Sequence, residues 1–225
     1  DNGGGLDPKE ITIASALKEL NYNTACIGKW HLGHLEQYMP TNHGFDEFYG
    51  IPYSNDMRPE GKWDYARKNF PPLPFLDGLD TIGVSIDQGN FIEMFTTKSI
   101  EFIQENKNEQ FFLYLAHTAP HTPLILTSAN KGKSKRGAYG DVVEEIDHGI
   151  GRIIDELERN NLDKNTIVIF TSDNGPWLPF ESQSGSAGLL REGKGSTWEG
   201  GHRVPGIFWG GGIKPSVIDD LGSTM

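Results

Sequence analysis

The sequence is poor in cysteine and in long apolar runs. Cys26 is the one cysteine among 225 residues, so the chain can form no internal disulfide and no zinc site built from several thiolates. No stretch approaches the roughly 18–20 apolar residues that a membrane-spanning helix needs, and the opening residues show no signal-peptide pattern. A disulfide scaffold and a transmembrane helix within this sequence are therefore excluded.

Positive charge is also scarce. Lysine and arginine number 20 against 31 aspartate and glutamate residues, which gives a formal net charge of −11. A nucleic acid or an anionic membrane would be repelled by this charge, so neither is expected as a partner. A binding site for an anion would have to be a local island of positive charge.

Apolar periodicity predicts alternating helices and strands. The pattern Asp7-Pro8 with Glu10, followed by apolar residues at helical spacing, predicts a helix from there to about Asn21. Further helices are predicted from Phe91 to about residue 106 and, most clearly, over 139–157. The predicted strands cover residues 24–27, 111–116, 166–171 and 204–209. This alternation indicates an α/β fold with a mainly parallel sheet between helices.

Residues 51–90 interrupt this pattern with five prolines among charged and aromatic residues. Such composition predicts a long surface insertion, the type of segment in which substrate selectivity often resides. Asp56 and Arg58 lie in it, and no contact is assigned to either.

Polar side chains follow three of the predicted strands. They are Lys29 and His31, His117 and His121, and Asp173 and Asn174. Ligands of open α/β sheets bind beyond the carboxyl ends of the strands. We therefore expect the three groups to meet at one edge of the sheet.

Each group has a functional and an ordinary interpretation. Asp173 and Asn174 could ligate Ca²⁺ or Mg²⁺, or form a common glycine-capped Asx turn. His121, in a proline-bounded loop, could donate to an anion or protonate a leaving group, or merely bond a backbone carbonyl. The spacing of His117 and His121 does not decide between them.

Lys194 lies in a glycine-rich loop and could reach a bound anion, or be a solvated charge. A phosphate-binding loop would need Ser or Thr where Gly195 stands, so a nucleotide site is disfavoured. The pair His31 and His34 lacks the helical spacing of two zinc ligands.

Together, two lysines and one or two histidines beside a cation site predict the binding of a tetrahedral oxyanion. No nucleophile accompanies them. Cys26 lies inside an apolar strand, and no Gly-x-Ser-x-Gly elbow is present.

Five motifs, in order along the chain, resemble the type I sulfatases near the arylsulfatase A and N-acetylgalactosamine-6-sulfatase branch. They are GKWHLG at 28–33, NHGFD at 42–46, FFLY at 111–114 leading to HTP at 121–123, SDNG at 172–175, and GKG at 193–195 through EGG at 199–201. The resemblance implies an alkaline-phosphatase-like α/β fold, one bound Ca²⁺ and a formylglycine nucleophile. It also implies a sulfated carbohydrate or aryl sulfate as substrate, and a periplasmic, secreted or lysosomal location.

The same resemblance implies a role for each site residue. Lys29 and Lys194 would contact the sulfate, His121 rather than His117 would contact it and protonate the leaving oxygen, His31 would stabilise the formylglycine hydrate, and Asp173 and Asn174 would ligate Ca²⁺.

Two family features are missing from the sequence: the Cys-x-Pro-Ser-Arg motif that carries the nucleophile and the preceding pair of calcium-binding aspartates. We therefore expect the chain to be the central part of a sulfatase catalytic domain, without the nucleophile-bearing segment and the small C-terminal domain, and inactive on its own. The alternatives are a phosphomonoester or phosphonate hydrolase of the same superfamily and a non-catalytic sulfate-binding homologue.

Overall fold

The main sheet of the computed structural model, which describes residues 3–59 and 70–217, has the strand order β4-β3-β2-β1-β5. Its strands are β1 (Asn23–Lys29), β2 (Glu47–Ile51), β3 (Pro74–Asp77), β4 (Asp80–Val84) and β5 (Phe111–Ala116). Strand β1 lies between β2 and β5 and pairs in parallel with both, whereas β3 and β4 extend the sheet in the antiparallel sense. The parallel centre confirms the predicted α/β class.

The helices cover the sheet and connect its strands. They are α1 (Ile13–Lys18), α2 (Phe91–Glu105), α3 (Gly137–Arg159) and α4 (Glu199–His202). Helices α2 and α3 confirm the two clearest predictions, because their apolar residues recur at helical spacing. In the part of the chain that the structure describes, no helix is long and apolar enough to cross a membrane.

Helix α1 begins later than predicted. Thr12 has an extended backbone and forms a reciprocal capping box, in which its Oγ1 accepts from the Ser15 N–H at 3.0 Å and the Ser15 Oγ accepts from the Thr12 N–H at 2.9 Å. Asp7 instead caps a separate turn, where its Oδ1 accepts from the Lys9 N–H at 2.9 Å. The helix therefore starts after the capping box at Thr12 and not after Asp7.

Two apolar layers cover the main sheet around β1 and β2, one on each face. Alternate residues of β1 point to opposite sides, with Ala25 and Ile27 in the layer beneath α2 and Cys26 in the other. The first layer is rich in aromatic rings, and Phe75 stacks on Phe95 with their ring centroids 6.1 Å apart. Coverage on both faces is what a parallel sheet centre requires.

Cys26 is a free thiol in the middle of β1, and its exposed fraction is 0%. Burial raises the pKa of this thiol. As the sequence indicates, the Cys26 thiol packs in the core and is not accessible to a ligand.

The prediction of a surface insertion over 51–90 is wrong for β3 and the residues after β2, which are buried, whereas β4 is exposed. Leu73 and Phe75 are 3% and 1% exposed, and Tyr53 is 6% exposed. They belong to the aromatic layer because the β3–β4 hairpin pairs with β2. Residues 60–69 of the segment lie outside the described residues.

The last two strands, β6 (Ile167–Phe170) and β7 (Ile207–Gly210), form an antiparallel pair apart from the main sheet. The prediction that all strands belong to a mainly parallel sheet between helices is wrong for this pair. Val168 and Trp209 pack towards the cluster around α2 and α3, whereas Ile167 and Phe208 are each 58% exposed. Alternation along a strand sends these residues to opposite faces.

Gly28 allows β1 to end close against β5. It has a φ of 118°, and a Cβ at this position would lie 2.0 Å from the carbonyl oxygen of Ala116. Both the left-handed backbone and the close approach exclude a side chain.

We expect Gly28→Ala to lower the free energy of unfolding by at least about 2 kcal/mol, because the residue would be strained and would collide with β5. Gly151→Ala is the matched control, since Gly151 lies in α3 with open space around it, and alanine should stabilise a helix there by up to about 1 kcal/mol. Urea unfolding measures both. Equal midpoints for the two variants would contradict the assigned role of Gly28.

Candidate active site

The carboxyl ends of β1, β2 and β5 meet at one edge of the sheet. The register aligns Lys29 with Ile51 and Gly28 with Ala116. Beyond β1, the His31 N–H donates to the Pro52 carbonyl oxygen at 3.1 Å, and His31 has a left-handed φ of 62°. Lys29 and His31 are thereby held beside the segment that follows β2.

Three further segments bring polar side chains to the same place. Lys29 interacts electrostatically with Asp173 and Lys194, and His31 interacts with His121 and Lys194. The structure thus brings together Lys29, His31, His121, Asp173 and Lys194 from four separate parts of the chain.

His117 does not join this group. Its ring packs 6.2 Å from the ring of Phe95 in α2, and both ring nitrogens are buried with no hydrogen-bond partner among the described residues. Burial lowers the pKa of His117 to about 4. The geometry therefore separates the two histidines that their spacing left undecided.

His121 is held by one ring nitrogen and presents the other. Its Nδ1 lies 2.6 Å from the carbonyl oxygen of Thr122, to which it donates in this tautomer. Burial lowers the pKa of His121, and the positive charges of Lys29 and Lys194 lower it further, against the opposing effects of the Thr122 bond and Asp56. Nε2 is therefore available to carry a weakly held proton.

Lys29 and His31 also lose proton affinity at this site. Burial is the largest cause of the lowered pKa of Lys29, and Lys194 adds to it, whereas Asp173 and Asp56 raise it. Burial and the charge of Lys29 lower the pKa of His31. Mutual repulsion of this kind is relieved when an anion binds among the positive groups.

The Lys194 loop is packed backbone to backbone against the turn that carries Asp173 and Asn174. The Lys194 N–H donates to the Pro176 carbonyl oxygen at 2.8 Å. A Cβ on Gly175 would lie 1.8 Å from the carbonyl oxygen of Gly200, so no other residue allows this approach. The lysine and the two oxygen-bearing side chains therefore have a common support.

Asp173 and Asn174 fit part of a site for a hard cation. Asp173 is exposed, and Asn174 uses its Nδ2 to donate to the Gly175 carbonyl oxygen at 2.9 Å, which leaves its Oδ1 for a ligand. Over residues 3–59 and 70–217, no group of three or more His, Cys, Asp or Glu side chains could hold a metal. Because Ca²⁺ takes six to eight oxygens, these two donors would need further ligands.

Sequence reasoning assigned no contact to Asp56, which the structure places at the site. Its charge acts on Lys29, His31 and His121. The adjoining Asn55 is buried and forms two hydrogen bonds with Gln88. Asn55 Nδ2 donates to Gln88 Oε1 at 3.2 Å, and Gln88 Nε2 donates to the Asn55 carbonyl oxygen at 3.0 Å. Asp56 belongs to no sequence motif, and its position in the proline-rich segment is the one signal in the sequence that points to it.

Comparison with known sequences identifies the relatives of the chain. A family model described as Sulfatase matches residues 2–225. An arylsulfatase of Hemicentrotus pulcherrimus is 36% identical over 98% of the chain, and an N-acetylgalactosamine-6-sulfatase of Canis lupus familiaris is 37% identical over 99% of it. The chain spans 42% and 44% of the lengths of these two relatives.

Solved structures share the fold. The PsFucS1 sulfatase from Pseudoalteromonas sp. aligns with a TM-score of 0.79 and 30% identity, over 91% of the chain and 45% of its own length. Ps i-CgsB in complex with k-i-k-neocarrahexaose aligns with a TM-score of 0.76 and 30% identity, over 93% of the chain and 49% of its own.

Replacing Asp56 by Asn should lower the pKa of His121 and of His31, because a nearby carboxylate favours the protonated imidazole. Titration of the histidine ring signals by NMR measures both values. Asp155→Asn, on the exposed face of α3, is the matched control and should leave them unchanged. An unaltered His121 pKa in Asp56→Asn would show that this carboxylate does not face the site.

Proposed function

The chain belongs to the sulfatase family, and on that basis we propose that the whole protein hydrolyses a sulfate ester of a carbohydrate or an aryl alcohol. The convergence of Lys29, His121 and Lys194 on one point, beside the oxygens of Asp173 and Asn174, carries this proposal. In a chain of net charge −11, such a concentration of cations is suited to a bound anion.

Lys29 and Lys194 hold the sulfate from two sides. One extends from the end of β1 and the other from the glycine loop, so their ammonium groups can neutralise different oxygens of a tetrahedral anion. Negative charge builds up on the leaving oxygen as the ester bond breaks, and fixed cations near this oxygen stabilise it.

His121 protonates the leaving alcohol. The bond that breaks joins sulfur to the ester oxygen; this oxygen keeps the bonding pair and takes the proton from Nε2. The Nδ1 bond to Thr122 keeps the ring in place during the transfer. We assign His31 to the opposite, nucleophile side of the anion, where its ring can accept a proton when sulfate is released.

The proposed site also needs a Ca²⁺ ion and a formylglycine, neither of which these residues contain. Asp173 and Asn174 would supply two oxygen ligands to Ca²⁺, and Ca²⁺ and a formylglycine would supply charge neutralisation and the nucleophile when present. Because the 225 residues contain no Cys-x-Pro-Ser-Arg, we place the formylglycine and the remaining calcium ligands in other parts of the whole protein.

The names of the relatives support a proposal for the substrate, and membership of the family supports one for the compartment. One curated relative is named an N-acetylgalactosamine-6-sulfatase, and one solved relative is in complex with a neocarrahexaose. We therefore propose a sulfated glycan as the substrate, in a periplasmic, secreted or lysosomal setting.

Lys29→Ala and Lys194→Ala should each lower kcat/KM of the whole protein by about 10²–10³-fold, the usual cost of losing a group that stabilises developing charge. Sulfate release from 4-nitrophenyl sulfate measures the loss. Lys107→Ala, at an exposed site after α2, is the control and should keep full activity. Unchanged kinetics in both test variants would refute the assigned roles, and faster hydrolysis of 4-nitrophenyl phosphate would favour a phosphomonoesterase.

The pH profile should reveal His121 as a proton donor. Because the oxygen of a sugar hydroxyl needs a proton to leave, kcat/KM for a sugar sulfate should fall as the pH rises through the pKa of His121. Burial and two lysines lower that pKa from the ordinary value of 6.5, so the fall should begin below the ordinary range of histidine. His121→Ala should abolish this limb along with most activity, and Asp56→Asn should move it to lower pH. A limb that persists unshifted in both variants would assign the proton to another group.

A further inference from the structure

Trp177 and Phe180 form an aromatic pair at the border of the candidate active site. Their ring centroids are 4.6 Å apart, and the Phe180 N–H donates to the Trp177 carbonyl oxygen at 3.0 Å. The indole of Trp177 lies 6.4 Å from the imidazole of His121, and Lys194 Nζ lies over it at 5.8 Å from the ring centre. Trp177 thus adjoins both a sulfate-binding cation and the proton donor.

The position of the indole is tied to the site itself. Trp177 follows Pro176, whose carbonyl oxygen accepts the Lys194 N–H. A Cβ on Gly193 would lie 2.3 Å from that same oxygen, so the two segments are in direct backbone contact. The ring is half-buried, which leaves surface for a ligand while its backbone stays fixed relative to Lys194.

This position determines what the indole would contact. With a sulfate held by Lys194 and its ester oxygen next to His121, the carbon skeleton of the alcohol continues from that oxygen. The side of the site between the two residues is occupied by Trp177. An indole face is apolar and electron-rich, and the C–H face of a pyranose ring packs well against such a surface.

The proton donor favours a sugar over a phenol as the alcohol. A phenolate can leave unprotonated at moderate cost, because phenols have a pKa of about 10. A sugar hydroxyl is a much weaker acid, so its oxygen needs the proton of His121 as the ester bond breaks. A held imidazole beside an aromatic surface therefore suits a sugar sulfate.

We propose that Trp177, backed by Phe180, binds the pyranose ring that carries the scissile sulfate and makes the enzyme selective for sugar sulfates over small aryl sulfates. This inference rests on the proposed function, because it needs a sulfate held at Lys29 and Lys194. Trp177 is a substrate-binding residue in this account and takes no part in proton transfer.

The test compares Trp177→Ala and Trp177→Phe in the whole protein, with the 2-, 3-, 4- and 6-monosulfates of galactose and glucose as probes. For whichever sugar sulfate the unaltered protein hydrolyses best, Trp177→Ala should lower kcat/KM by about tenfold or more, mainly through KM. Trp177→Phe should restore most of the loss. Inhibition by inorganic sulfate should be unchanged, because the cations remain.

Trp198→Ala is the matched control. Trp198 is also a partly exposed tryptophan, stacked on Arg191 with the guanidinium carbon 3.5 Å from its ring centre, and it should keep the sugar-sulfate kinetics of the unaltered protein. An equal loss in Trp198→Ala, or an unchanged KM in Trp177→Ala, would overturn the inference.

The two proposals fail in different ways. If the unaltered protein hydrolyses 4-nitrophenyl sulfate and none of the sugar monosulfates, the sugar-binding role of Trp177 is wrong and the proposed function stands. If it hydrolyses neither class, the proposed function is wrong. Weaker inhibition by inorganic sulfate in Trp177→Ala would instead assign the indole to the support of Lys194.

Discussion

The position of β1 between β2 and β5 is the constraint on which the candidate site depends. Parallel pairing on both sides brings three carboxyl ends together, and the register aligns Lys29 with Ile51 and Gly28 with Ala116. Gly28 permits the closest part of this contact. A shift of β1 by one residue would send its side chains to the opposite face, so the same pairing that buries the core also aims Lys29 at the site.

The candidate site places several positively charged or titratable groups close together. Burial lowers the pKa values of Lys29, His31 and His121, and the positive charge of a neighbouring lysine lowers each of them further. Asp56 and Asp173 offset part of this effect on Lys29. The fold supports this unfavourable arrangement by backbone contacts that do not depend on a ligand, so an anion that enters meets groups already in place.

Much of this could be predicted because strong local patterns agree with the tertiary structure. Helices α2 and α3 have unambiguous periodicity and strand β5 is an uninterrupted apolar run. The rule about strand ends predicts that Lys29 and His121 lie close together. Lys194 follows no predicted strand, and Asp173 follows β6, which lies outside the main sheet. The start of α1 was missed because two capping signals lie close together. The strand pair β6–β7 and the hairpin that contains Phe75 were misjudged, because burial depends on which element lies opposite, and composition does not contain that information. Asp56 belongs to no local pattern, and only tertiary proximity gives it a role.

The buried thiol of Cys26 can report when strand β1 opens. A thiol must be exposed and ionised to react with an alkylating reagent, and Cys26 is 0% exposed with a raised pKa. Since it is the one cysteine of the chain, any label that these residues acquire marks an opening of the sheet at β1. The rate of labelling would therefore give the opening free energy of the strand that carries Lys29, without an engineered probe.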